Sequence, residues 1–79
     1  MVRAIIVEQL VDDRYIYTVG DRVRIQKKNG DEYIGEILKI TIESVFIDIK
    51  LDTRLIFLCD IKKMRFAKPE ENFENTWDF

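Results

Sequence analysis

The stretch KKNGDEYIGEI, Lys27 to Ile37, limits what this chain can fold into more than any other. Asn29-Gly30 is a strong short-range hairpin signal, because the tight turn between two strands needs residues that accept positive φ. A second glycine, Gly35, then falls inside the returning strand. Glycine weakens a strand interior and usually marks a bend or a close backbone approach. The stretch "DEYIGEILKITI" is also long for one strand. These features predict a strand that curls sharply at Gly35, where a side chain would crowd the corner.

The neighbouring segments extend the same reading. Val19-Gly20-Asp21 reads as a turn, and Val23 and Ile25 then alternate with Arg22, Arg24 and Gln26 as a half-buried strand. Val45, Ile47 and Ile49 share one strand face, and Asp52-Thr53 makes a short turn. "RLIFLC" is nearly continuously apolar, which predicts burial on both faces, with Cys59 as a small buried hydrophobe. After a brief turn at "DIKK", Met64 and Phe66 point one way and Lys63 and Arg65 the other. Residues 2–12 are ambiguous. Val2, Ile5, Ile6 and Leu10 fit a short amphipathic helix or helical turn, whereas the β-branched run Ile5-Ile6-Val7 pulls toward a strand. The sequence thus predicts a mainly β fold. Its form is a five-stranded, strongly bent antiparallel barrel with a short N-terminal helix or turn. One domain spans residues 1–68, and residues 69–79 form an acidic aromatic tail.

The chain has 79 residues, no histidine and one cysteine. A chain this short buries only about 60% of its unfolded surface, so its own core is marginal. Neither a disulfide nor a structural zinc site can reinforce it. Association with copies of itself or with a partner is the remaining route to stability. No signal peptide or membrane span is expected, and the lone thiol fits a reducing, cytoplasmic setting. Across residues 67–79 Lys68 stands against Glu70, Glu71, Glu74 and Asp78, a net of −3; residues 1–66 balance at +1. A strongly basic nucleic-acid binder is therefore not expected. Catalysis has little to stand on, since no paired carboxylates lie in an apolar setting and no glycine-rich phosphate loop occurs. No cofactor is expected.

From Val23 to Phe66 the chain resembles the Sm-like (Hfq-like) small β-barrel family. The features of its first motif stand here as Val23, Ile25, Asn29, Gly30, Gly35, Ile37, Ile40, Val45 and Ile47. "FLCDIKKM" maps onto the shorter second motif, with Ile61 and Met64 as its apolar positions. "VGDRVRI" also resembles the opening of KOW and other SH3-like barrels. The resemblance implies the barrel fold and assembly into a homo-oligomeric ring through the edges of the fourth and fifth strands. At the family's inner RNA site this sequence carries Thr41, Ile42, Leu58 and Cys59, which cannot clamp a base or a phosphate.

Two sets of residues are candidates for function. Lys27, Lys28, Lys62, Lys63 and Arg65 could contact phosphates of RNA or single-stranded nucleic acid, with Tyr15 and Tyr17 stacking a base. The competing reading is that the basic residues solvate a hairpin tip and an edge strand, and that the tyrosines pack. The tail holds Phe73, Trp77, Asp78 and Phe79. "ENTWDF" is similar in chemistry to the acidic, phenylalanine-terminated tails with which single-stranded-DNA-binding proteins recruit partners. It could engage a protein partner or fold back onto this body or a neighbouring copy. The leading expectation is a non-enzymatic oligomeric module that binds nucleic acid weakly. The alternative is a protein-interaction adaptor that never touches it.

Overall fold

A computed structural model describes residues 2–5, 8–13, 15–50 and 52–73. The fold is mainly β. Among these residues eight strands run in chain order: β1 Arg3–Ile5, β2 Gln9–Asp12, β3 Tyr15–Thr18, β4 Arg22–Lys27, β5 Glu32–Ile40, β6 Ser44–Asp48, β7 Thr53–Phe57 and β8 Ile61–Phe66. They form a three-stranded antiparallel sheet, β1-β2-β3, and a five-stranded one in the order β7-β6-β5-β4-β8. No described helix is long and apolar enough to cross a membrane.

The N-terminal helix or turn is replaced by a hairpin, in which Ala4 lies opposite Leu10 and Arg3 opposite Val11. Glu8, at φ +40, helps to turn the chain between the two strands. The helical spacing of Val2 and Leu10 arises because both are buried in one core from opposite arms of the hairpin. Here the β-branched preference outweighed the periodicity.

The hairpin signal at Asn29-Gly30 is realised. Gly30 sits at φ +97, the Asn29 side chain accepts from the Asp31 amide at 2.9 Å, and β4 and β5 leave the turn in antiparallel register. Gly35 also has a definite physical cause. A Cβ there would collide with the Asp48 carbonyl oxygen and stand 2.8 Å from its carbon, because the end of β6 runs close against β5 at this point. Just beyond, the register shifts between Ile37 and Lys39, so Leu38 bulges out of the ladder. Bulges of this kind bend and twist the strand that carries them.

The five-stranded sheet is curled but open. Laid flat, five strands would hold their margins about 19 Å apart, at about 4.8 Å per gap. The link from Phe57 to Ile61, through a 3-10 turn at Leu58–Asp60, can span only about 14 Å. Curling is therefore obligatory. Among the described residues no closed barrel forms, because β7 bonds only to β6 and β8 only to β4. The concave side packs Val23, Ile25, Ile37, Val45, Ile47, Ile56 and Met64 into one core. Val2, just ahead of β1, and Leu10 and Tyr17 of the smaller sheet join the same core.

Two apolar expectations are corrected at β7. Its burial is one-sided: Ile56 is buried, whereas Leu55 and Phe57 are about half exposed, at 46% and 47%. Cys59 is exposed as well. A strand at the margin of a sheet has only one neighbour, so a continuous apolar run does not guarantee burial on both faces.

Candidate functional site

The basic residues gather at one end of the five-stranded sheet. Antiparallel pairing sets Gln26 opposite Lys63 and Lys27 opposite Ile61, leaving Lys62 as the bulged residue on β8. The Lys28 amide donates to the Asp60 carbonyl at 2.7 Å, which ties the hairpin tip to the turn before β8. Lys28 and Lys62 are exposed, and Lys27 and Lys63 are half-buried. Four lysines from distant parts of the sequence thus share one edge of the fold, with Asp31 and Asp60 among them.

Arg65 stands apart from this group. It lies on the convex side of β8, where its guanidinium grips Glu71 through two parallel hydrogen bonds, one of them at 2.8 Å to Oε1. Beside it Arg24, directly opposite on β4, is almost entirely buried at 2% exposure. Arg24 donates to Glu71 at 3.1 Å and to Glu32 of β5 at 2.9 Å. The Lys68 amide adds a donor to Glu71 at 3.3 Å. Arg65 holds the Glu71 carboxyl well below its ordinary range. Arg24 and the Lys68 amide act in the same sense, against the cost of burial, and together they bring it to about 2. A carboxylate so firmly ionised cannot shuttle protons near neutral pH. It acts as a clasp.

The clasp is built by the segment after β8. The Ala67 amide donates to the Arg22 carbonyl at 2.9 Å, and the Arg22 Nε donates to the Lys68 carbonyl at 3.2 Å. The Glu71 amide closes a turn onto the same carbonyl at 3.0 Å. Residues 69–73 therefore lie over the convex face. Beside them a groove of about 700 Å³ is lined by Arg22, Tyr33, Ile34, Ile49, Pro69 and Phe73, among others. Phe73 is 58% exposed, and Glu70 is exposed too. Trp77, Asp78 and Phe79 lie outside the described residues, as does Glu74.

Tyr15 and Tyr17 occupy the same face of β3, with ring centroids 6.4 Å apart. Tyr17 is fully buried, so its ring cannot stack a base. It packs on Phe66 at 4.6 Å, and its hydroxyl donates to the Met64 carbonyl at 3.2 Å. Burial, with Asp12 and Tyr15 contributing, pushes its hydroxyl far above the ordinary range. Tyr15 and Phe66 remain about half exposed and meet edge to face at 6.1 Å. Among the described residues, no group of three or more acidic or cysteine side chains is placed to hold a metal ion.

Nothing local to either residue announces the Arg24–Glu71 pair. Strand alternation assigns Arg24 to the face away from the core, and only the return of residues 69–73 over that face buries it. No family model, curated protein or solved structure matches the chain.

Proposed function

We propose that this chain is a non-enzymatic small β-barrel module of Sm-like or SH3-like type, acting through association with other copies of itself. The observation that supports the reading is the strand order β8-β4-β5-β6-β7, in which four strands meander and the fifth returns beside the first after a single 3-10 turn. A glycine that tolerates no Cβ at the second strand of this meander agrees with it. So does the amount of apolar surface on a chain this small: Leu38, Ile42, Leu55 and Phe57 are all at least 42% exposed. Such surface in water favours assembly. Light scattering tests the reading, with a mass above that of the monomer expected at high micromolar concentration. A monomer mass throughout would overturn it.

A second reading rests on the gathering of Lys27, Lys28, Lys62 and Lys63 at one end of the five-stranded sheet. It is weak, salt-dependent binding of RNA or single-stranded nucleic acid. Replacing the four lysines by glutamine should weaken binding of a mixed RNA and single-stranded-DNA pool about uniformly. The salt slope should flatten by roughly one unit for each phosphate no longer neutralised. Undiminished binding by that variant would exclude this site. A protein partner engaged through the tail, from Phe73 onward, is the alternative use of the module.

A further inference from the structure

The two margins of the five-stranded sheet are not equivalent, and this decides how copies can join. Directly after β8 the Ala67 amide bonds the Arg22 carbonyl. In antiparallel register, Arg65 and Lys63 therefore turn their backbone groups toward β4, and Met64 and Phe66 turn theirs outward. The outward Met64 carbonyl is taken by the Tyr17 hydroxyl. The same strand is bulged at Lys62 and carries Lys63 and Arg65. Lysines, bulges and a covering element are the devices that keep a sheet edge from pairing.

Among the described residues β7 has no lysine and no bulge, and its one charged side chain, Arg54, is met by Asp52 at 3.5 Å. The Leu58 amide bonds the Glu43 carbonyl and the Ile49 amide bonds the Asp52 carbonyl. By the same alternation, Thr53, Leu55 and Phe57 turn their backbone groups away from β6. Their side chains carry no charge and lie on the convex face beside Phe46, which is opposite Leu55. The Thr53 amide is met only locally, by its neighbour Asp52 at 2.8 Å.

We infer that β7 pairs antiparallel with β7 of a second copy, giving a closed two-fold dimer with Leu55 facing Leu55 across the axis. This rests on the association reading above and names its partner and its geometry. Within the five-stranded sheet, a head-to-tail ring needs both margins open, whereas one open margin closes on itself. Register follows from parity. Centring the axis on Leu55 sets Thr53 opposite Phe57 of the partner, and every outward-facing residue of the strand enters a hydrogen-bonded pair. Any shift that keeps the alternation loses at least one such pair. No charged side chains come directly opposite each other in this register, because Arg54 meets Ile56. The convex apolar strip of Phe46, Leu55 and Phe57 becomes continuous across the axis.

The test uses the full chain with Cys59→Ser as background, so that an introduced thiol reports alone. In a hydrogen-bonded antiparallel pair the opposed α-carbons lie about 5.5 Å apart, inside the range of about 4.4–6.8 Å that a disulfide spans. Leu55→Cys should therefore oxidise to a covalent dimer, while Thr53→Cys alone, opposite Phe57, should not. The unmodified protein should show twice the monomer mass, and Leu55→Lys should return it to monomer with an unchanged circular dichroism spectrum. A larger assembly in which Leu55→Cys fails to cross-link would overturn this inference and leave the association reading standing. A monomer at all concentrations would overturn both.

Discussion

Replacing Glu71 by glutamine tests the clasp quantitatively. The carboxyl is lowered from its ordinary 4.5 to about 2 by Arg65, Arg24 and the Lys68 amide. At about 1.4 kcal/mol per unit, the ionised form gains at most about 3 kcal/mol on folding. Two features reduce the loss expected on neutralisation. Arg24 keeps Glu32, and Arg65 retains 14% side-chain exposure through which water can replace part of the interaction. Glu71→Gln should therefore cost about 1–2 kcal/mol at neutral pH. In a domain of this size that lowers the melting temperature by about 5–15 °C. The pH dependence has a definite sign. A depressed carboxyl pKa stabilises the fold fully above its unfolded value and ceases to do so as pH falls through its folded value. The gap between wild type and Glu71→Gln should thus be complete at pH 7 and close between pH 4.5 and about 2. Urea titrations across that range provide the assay. Equal stability at pH 7, or a gap that persists unchanged into acid, would refute the clasp.

Gly35→Ala should lower stability by about 1–3 kcal/mol in a thermal or urea melt, since its methyl meets backbone that only a shift of β6 can move. Tyr17→Phe should cost about 1–2 kcal/mol by leaving the Met64 carbonyl without its donor. Because burial raises the Tyr17 hydroxyl far above its ordinary 10, the wild type should lose stability as pH climbs past that value, and Tyr17→Phe should remove that loss. Gly30→Ala should cost about 1 kcal/mol through left-handed strain alone, with no steric partner nearby.

Much of the large sheet was legible in the sequence because its signals are local. Asn29-Gly30 fixes a hairpin through backbone chirality, and the alternation of Val23 and Ile25 fixes which side of β4 meets the core. Gly35 marked a crowded position whichever strand did the crowding. The hairpin β1–β2 is hard to read because Val2, Ile5, Ile6 and Leu10 satisfy a helical period by coincidence of spacing, while the β-branched run Ile5-Ile6-Val7 favours a strand. Other features depended on what lies across the fold. Arg24 looks solvent-facing until residues 69–73 return over it, and Tyr17 looks open to a ligand until β3 brings it against Phe66. "RLIFLC" reads as doubly buried, yet its place at the sheet margin leaves Leu55 and Phe57 half exposed. Neither cover by a distant segment nor edge position has a signature within a single strand.

The hydroxyl of Tyr17 on Met64 and the guanidinium of Arg24 on Glu71 each join residues 47 positions apart. Closing a loop of that length costs chain entropy before any interaction rewards it. The β4–β5 and β5–β6 hairpins close over a few residues and can form early. Both long-range hydrogen bonds should therefore form after the rate-limiting step. Removing either then leaves the folding rate nearly unchanged and speeds unfolding. On that order of events, loss of the clasp of Glu71 over Arg24 should shorten the lifetime of the folded module more than it slows its formation.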